Sequence, residues 1–528
     1  MPPPPPSTSL AETPYDVVTY PGQLHVQTHP ERLATIGKLF GMTPAPVTNC
    51  RVLELGCGSA ENLIPMALAL PESQFTGVDL AGSAIQQGQE LVTHLGLKNC
   101  RLIHEDILKI DATWGQFDYI IAHGVYAWVP EAVRDQLLAI CHQCLAPQGI
   151  AFISYNAYPG AHLSAMLREM MLFHVRDFTP PQERIQQALT LAKLVAGPHP
   201  SVVSPVQDWL QTETQRLLNS HPGQAYHDEL APVHAPVYFT DFIEHARRHE
   251  LQFIGEADFQ DMSDRPFSEE GQQALQQLAG DRIRREQYRD FFKLRRFRQT
   301  LLTHATTPVA TPPDPTAVDA MLVRLFLPAV ASNTDLNAQV TTTFSTQPRG
   351  QVQTDLPLGK AALHHLMAEY PRALPLTDLL TAARAKLAIA GLALADIESD
   401  RRALSGFMLQ LYESGVTRLH TWVADLPRKA GPQPTASPIA RWQIARGPRV
   451  TTLKHQSVDV EDLIGQLLIS LLDGTRDRAA LCEALAAGLE ARGVQLNQEQ
   501  TATALREELS HGLESNLQAL ADIGILIN

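Results

Sequence analysis

The sequence predicts an α/β architecture built on a doubly wound, mostly parallel sheet with helices on both faces. Three observations carry that prediction. Short, nearly continuous apolar segments alternate with helical patterns between residues 51 and 156, as strands covered on both faces require. The first segment, "RVLELGC", ends in a glycine-rich turn, with Gly56 and Gly58 flanking Cys57, and the helical pattern "ENLIPMALAL" follows. Acids recur at the strand ends. In open sheets of this kind, ligands bind beyond the carboxyl ends of the strands.

The elements follow in order. "MPPPPPSTSL" reads as a disordered polyproline II tail over residues 1–11, without the basic and apolar regions of a signal peptide. "RVLELGC" is strand one and carries Glu54. "SQFTGVDL" (73–80) is strand two and ends in Asp79 and Leu80. "CRLIHEDI" (100–107) is strand three and ends in Asp106 and Ile107. "FDYIIAHG" (117–124) is strand four, with His123 just past it, and "GIAFISYN" (149–156) is strand five.

Bulk properties narrow the function. A chain of 528 residues implies several domains, and 44% hydrophobic with 19% charged residues is globular. The net charge of −14 argues against a general nucleic-acid or anionic-membrane binder. No apolar run is long enough for membrane insertion. Six cysteines make no disulfide framework, so a cytoplasmic protein with free thiols is expected. "CHQC" (141–144) has no second pair at zinc spacing and reads as buried core; no metal is expected.

The strand-one turn asks what ligand needs bare backbone beside a carboxylate. Glycines allow close approach and leave N–H groups at a helix start. Asp79 follows at about the twenty-residue spacing that brings a carboxylate to ribose hydroxyls. A pyrophosphate is disfavoured, because Glu61 stands where a dinucleotide fingerprint has its third glycine. Glu54 suits an ammonium group. Ribose, adenine and an amino-acid tail together describe S-adenosylmethionine.

Taken in order, "ELGCGSA", "GVDL", "HEDI" and "LAPQGIAFIS" resemble the successive motifs of class I S-adenosylmethionine methyltransferases. "YDVVTYPGQLHVQTHPERLATIGKLFGM" ahead of them, with "YHDELAPVHAPVYFTDFIEHARRHELQFIGEADF" (226–259) and "REQYRDFFKLRRFRQTLL" (285–302) behind, resembles the members that carry a methyltransferase regulatory domain. That family includes the rickettsia-type protein lysine methyltransferases acting on outer-membrane proteins. The resemblance implies a Rossmann-like seven-stranded core. "LQFIGEADF" (251–259) is then strand six and "FRQTLLTH" (297–304) strand seven, antiparallel to each other, with helical inserts at about 161–235 and 266–294. It also implies roles. Glu54, Gly56 and Gly58 would hold the methionine moiety, Asp79 with Leu80 the ribose, and Asp106 with Ile107 the adenine. His123 would face the sulfonium. Tyr126, Trp128, Tyr155 and Asn156, at the ends of strands four and five, are the candidates for the acceptor pocket and catalysis. His227 and Asp228, in "AYHDEL", are candidates for substrate or cofactor contact from an insert folded back over the site.

The expected division is a tail (1–11), a cofactor-binding core (12–160), an insert and regulatory region completing the sheet (161–306), a proline-rich linker (307–318), and two winged-helix-like domains (319–430 and 431–528). The last two are expected to fold separately from the core. Over residues 321–528, 19 Lys and Arg face 21 Asp and Glu, too few for phosphate neutralisation. Protein binding or a homodimer through this region is expected, not nucleic acid. "DRIRREQYRDFFKLRRFR" (281–298) reads as an amphipathic helix with solvated arginines. The loop "HGVYAWVP" lacks the Asn/Asp-Pro-Pro-aromatic run of enzymes methylating amide or base nitrogens. The resemblance points to protein lysine, in an outer-membrane or secreted protein before export. A small-molecule methyltransferase and a non-catalytic nucleoside-sensing or assembly protein remain alternatives.

Overall fold

The computed structural model describes residues 12–197, 205–346, 350–492 and 502–528; the proline-rich tail of 1–11 lies outside them. Seven strands form the central sheet: β1 (Arg51–Leu55), β2 (Gln74–Asp79), β3 (Cys100–His104), β4 (Phe117–Ala122), β5 (Leu145–Asn156), β6 (Leu251–Glu256) and β7 (Phe297–His304). Their order is β3-β2-β1-β4-β5-β7-β6. The first five pair in parallel, and β7 runs antiparallel between β5 and β6. This is the seven-stranded, Rossmann-like sheet the sequence implied, with β6 ending three residues short of the expected strand.

The helices of the first half are α1 (Pro14–Val17), α2 (Pro30–Leu39), α3 (Leu63–Ala69), α4 (Gly82–Leu95), α5 (Glu131–Cys144), α6 (Ala161–His174), α7 (Pro181–Ala196), α8 (Pro205–Leu218), α9 (Pro222–Leu230), α10 (Phe239–Arg248), α11 (Glu269–Leu278) and α12 (Arg282–Lys293). Alternation along the strands sends side chains to two cores. Val52, Tyr119, Ile121 and Phe152 pack with α2, α3 and α4. Leu53, Ile120, Ala122, Ile153 and Tyr155 pack with α5 and α10. The inserted helices α6 to α9 keep a small core of their own around Leu167, Met171 and Leu217.

Beyond β7 come β8 (Leu322–Leu325), β9 (Ala329–Ala331), β10 (Thr342–Thr346), β11 (Gly350–Thr354), α13 (Pro357–Ala368), β12 (Leu374–Pro375), α14 (Leu376–Ile389), α15 (Ile397–Glu413) and β13 (Thr417–His420). Three helices and the sheet β12-β8-β13 make up this first C-terminal unit. The chain ends with α16 (Pro438–Ile444), β14 (Arg449–Thr451), β15 (Ser457–Asp459), α17 (Leu463–Leu471), α18 (Arg478–Glu490) and α19 (Ala502–Ile523), whose helices and β14 share a fourth core.

The C-terminal half, expected to fold separately, packs closely on the core. One apolar cluster runs from Leu33, Ile36 and Leu39 of α2 into Val323, Leu325, Met408 and Leu419. The Thr421 amide donates to Glu31 Oε1 at 3.0 Å, and Ser263 Oγ to Glu413 Oε1 at 2.8 Å. The proline-rich stretch is pinned, because Ala310 N donates to Phe40 O (2.8 Å) and Asp314 N to Leu39 O (2.9 Å). The carbonyls at the end of α2 hold this linker.

Candidate functional site

The β1–α3 turn brings backbone to the carboxyl edge of the sheet. Gly56 (φ +72°) and Gly58 (φ +55°) are left-handed, a region that costs other residues. A side chain on Gly56 would strike Val125, whereas one on Gly58 would meet nothing within 4 Å. The loop is therefore packed on one side and open on the other. The Asp79 carboxylate is pinned by two backbone donors, Gly58 N to Oδ2 at 2.7 Å and Ala81 N to Oδ1 at 2.8 Å. Leu80 is exposed, and its carbonyl meets His104 Nε2 at 3.0 Å. Asp106 caps the turn of Ile107–Lys109 by accepting from Leu108 N.

Glu54 is the most informative group in the site. It is 3% exposed; its Oε1 accepts from Asn62 Nδ2 at 2.7 Å, and its Oε2 has no partner. Burial pushes its pKa up to about 7, against the Asn62 hydrogen bond, with Asp79 adding to the rise. Asp79 and Glu61 are also raised by burial. Buried carboxylates with raised pKa values around one turn form a site that gains from a cation.

Residues 13–28 strap across this edge. Asp16 accepts from Ser83 N and Oγ at the start of α4, 2.9 and 2.7 Å away. His25 N donates to Asn62 Oδ1 at 3.0 Å, and the His25 ring stacks on His123 with centroids 3.4 Å apart. Helix α9 clamps the strap from outside. His227 is buried, stacks on Tyr15 (4.0 Å) and meets Val18 O at 2.6 Å. Asp228 hydrogen-bonds the Tyr20 hydroxyl, and burial pushes its carboxyl up to about 6. Helix α9 of the insert thus packs on the strap, where His227 Nε2 and the Asp228 carboxyl are engaged.

The sheet's alternation separates the four acceptor candidates. Glu54, His123 and Asn156 share the face towards α2, together with Phe297 of β7, which pairs with Asn156. The His123 and Phe297 rings lie 5.9 Å apart, and Asn156 Oδ1 is buried without a partner. Tyr155 points the other way. It is 1% exposed, stacks on Phe242 and bonds Thr300 Oγ1 at 3.1 Å. Tyr126 is 2% exposed in the same core, its hydroxyl 2.8 Å from His245 Nδ1. Trp128 stacks on His234 at 4.5 Å, where the loop after β4 meets the chain leading to α10. Tyr126 and Tyr155 thus pack the far face, a correction whose cause is the two-residue period of β5 for Tyr155 and the single helical turn Tyr126–Trp128 after β4 for Tyr126.

The comparisons with known proteins agree with this geometry. Residues 52–149 match the family model of a methyltransferase domain, residues 224–304 that of a predicted methyltransferase regulatory domain, and residues 432–525 that of the PKMT C-terminal winged helix domain. The chain is 31% identical to protein RP789 of Rickettsia prowazekii over 96% of this chain and 92% of that one. It belongs to the S-adenosylmethionine-dependent methyltransferases that carry a regulatory domain. The solved PKMT2 of Rickettsia typhi is 25% identical to this methyltransferase, with a TM-score of 0.82 over 96% of this chain and 100% of that one, and it has also been solved with AdoHcy. The cofactor is S-adenosylmethionine, and the residues present fit it. The buried, unpartnered Glu54 Oε2 suits an ammonium, the open side of Gly58 leaves room for close approach, and the raised carboxylates suit a sulfonium.

Elsewhere the methyltransferase uses charge structurally. Arg298, read as a solvated arginine, is fully buried and pairs with Glu256 (2.6 Å), Asp290 (2.8 Å) and Glu286 (3.2 Å). Its guanidinium lies 3.8 Å over the Phe239 ring. Arg285 and Arg289 pair with Asp264. The run 281–298 supplies two of these acids itself, Glu286 and Asp290; Glu256 of β6 and Asp264 after it come from outside and were not visible in sequence. Asp135, His245 and His249 also cluster, with Asp135 Oδ1 at 3.2 and 2.8 Å from the two Nε2 atoms, bracing α10 against α5. Cys141 and Cys144 are buried in α5. Among the described residues no helix is long and apolar enough to cross a membrane. The sequence reading missed Asn62, His25, Phe297 and His455. The histidine pair in "LHVQTHPE" was a usable signal for His25; His455 had none, being about 400 residues from the loop it touches.

Proposed function

We propose that this methyltransferase methylates the Nζ of lysine side chains in a protein substrate. The observation that carries the reading is the end-to-end likeness to PKMT2, whose name is that of a protein lysine methyltransferase. The pocket chemistry supports it. His25 and His123 are driven neutral by burial, His25 down to about 4. With Phe297 they offer an apolar, uncharged surface that disfavours a lysine ammonium and favours the free amine.

Glu54 holds the ammonium of the cofactor, Gly56 and Gly58 admit its methionine portion, and Asp79 beside Leu80 takes the ribose hydroxyls. Asp106 and Ile107 border the adenine. When bound, S-adenosylmethionine supplies a methyl group activated by a sulfonium. Asn156 Oδ1 accepts an N–H of the incoming amine and so aims its lone pair. Alignment of this kind supplies roughly 7–11 kcal/mol of barrier reduction. The strap excludes water, with His227 and Asp228 holding it shut. No basic side chain at His25 or His123 takes the proton readily, so the amine must enter deprotonated.

The net charge of −14 favours a basic, lysine-bearing partner by long-range attraction. An outer-membrane or secreted protein before export, and a homodimer through the C-terminal region, belong to this proposal through the family resemblance. The test is incubation of a cell lysate with radiolabelled cofactor, with and without prior protein digestion. Label in methyl-lysine that digestion abolishes is expected. Label surviving in small molecules would make the acceptor a metabolite, and no label at all would make the protein a nucleoside sensor.

A further inference from the structure

The turn between β14 and β15 leaves its own domain. Its tip, Lys454-His455, is held by Thr452, whose N–H donates to Gln456 O (2.9 Å) and whose hydroxyl accepts from Lys454 N and Gln456 N. The base of α19 anchors it through Leu453 N to Gly524 O at 2.8 Å. His455 is left-handed (φ +55°) although it carries a side chain. Such strain persists only where the surroundings enforce it, and it clusters at functional sites.

The enforced conformation aims the imidazole into the methyltransferase core. His455 is 5% exposed, and its Nε2 lies 3.0 Å from Asn62 Oδ1. Asn62 is a four-way junction. Its Oδ1 also receives the His25 backbone N–H, and its Nδ2 donates to Thr28 Oγ1 (2.9 Å) and to Glu54 Oε1 (2.7 Å). The His25 amide can only donate, so it fixes which end of the Asn62 amide is oxygen. His455 must then donate from Nε2, which leaves Nδ1 bare; that atom is buried without a partner. The ring also lies 5.2 Å from that of His29, which caps α2 by accepting from Glu31 N.

We infer that the hairpin tip of the C-terminal domain is a working part of the cofactor site, with His455 as a positioning residue that orients Asn62 and, through it, Glu54. The inference rests on the reading of Glu54 as the ammonium-binding group. Two consequences follow. Cofactor affinity depends on a docked C-terminal domain, and bound cofactor favours docking by the same factor. A partner that lifts this domain would thereby lower cofactor affinity without touching the nucleoside pocket.

The test is calorimetry of S-adenosylhomocysteine binding to the full chain. His455→Gly removes the imidazole while relieving the left-handed backbone, so its melting temperature should stay near wild type. Its affinity should fall about three- to tenfold, the size of one lost hydrogen bond. His455→Gln, which keeps an N–H donor, should recover part of the loss. In an Asn62→Ala background, His455→Gly should cost nothing further, a non-additivity that a merely structural role would not give. Wild-type affinity in a folded His455→Gly protein, or full additivity with Asn62→Ala, would overturn the inference. Should His455→Gly fail to fold, His455→Gln replaces it in the same cycle, where full additivity with Asn62→Ala would again overturn the inference. Unchanged affinity in Glu54→Gln would instead remove the reading of Glu54, while the His455–Asn62 cycle would still report whether the hairpin is coupled to the site.

Discussion

The two faces of β5 and its neighbours are built from alternate residues of the same strands, yet they treat their polar groups differently. Towards α5, α10 and α12, Tyr126, Tyr155, Arg298, Glu256, Glu286 and Asp290 are buried and partnered within the chain. Towards α2 and the N-terminal strap, Glu54 Oε2, Asn156 Oδ1 and His455 Nδ1 are equally buried and have no partner. Burying a polar atom without a hydrogen bond is costly. Unpartnered atoms occur on the other side too, at Arg134 Nε, His142 Nδ1 and Gln287 Nε2; what marks the first face is that a carboxylate oxygen, Glu54 Oε2, is among them, on the strand that leads into the open turn at Gly58. Buried charge alone would have nominated the wrong face, because the ionic cluster around Arg298 is a brace.

The contrast yields tests, the largest effect first. Arg298→Met leaves three carboxylates without their shared cation and should cost about 3–5 kcal/mol of stability, read by thermal melting. The fraction that folds should bind S-adenosylhomocysteine as wild type does. Asp79→Ala should do the reverse: affinity should fall by about ten- to a hundredfold through lost charge-assisted hydrogen bonds, with the smaller change in melting temperature. Adjacent residues of β5 sharpen the comparison further. Asn156→Ala should lower turnover about tenfold with cofactor affinity intact, as expected for loss of one hydrogen bond to the acceptor. Tyr155→Phe should lower stability by about 1 kcal/mol and leave turnover unchanged. If Tyr155→Phe damaged turnover and Asn156→Ala did not, the assignment of faces would be reversed.

Much of the nucleoside half was legible because its signals are local. A strand, a glycine turn and an acid about twenty residues on are fixed by short-range backbone geometry. The two antiparallel strands were legible too, "FRQTLLTH" matching β7 residue for residue. The acceptor side was less so. Tyr155 and Asn156 were grouped by position at a strand end, although neighbours in a strand face opposite ways; the period that would have divided them was in the sequence. Other features could not be read, because they depend on contacts across the chain. Arg298 finds Glu256 on β6, Thr421 finds Glu31, and His455 finds Asn62. Proline content identified a linker at 307–318, but composition carries no record of the carbonyls at the end of α2 that hold it.

The central claim is that the face carrying the unpartnered Glu54 is the cofactor site, and the pH dependence of S-adenosylhomocysteine binding tests it most directly. In the free protein Glu54 titrates near 7, raised by burial and by Asp79. An ammonium placed against it would favour the carboxylate, so binding releases a proton at and below that pH. Affinity should therefore hold above pH 7 and fall as the pH drops through 7, approaching about tenfold per unit for one linked proton. Asp79, also raised, adds in the same direction. The neighbouring His25, His29 and His455 are held neutral by burial and contribute no opposing step near neutrality. Glu54→Gln should bind more weakly and lose the step at pH 7. Identical, pH-independent affinities for wild type and Glu54→Gln would contradict the account.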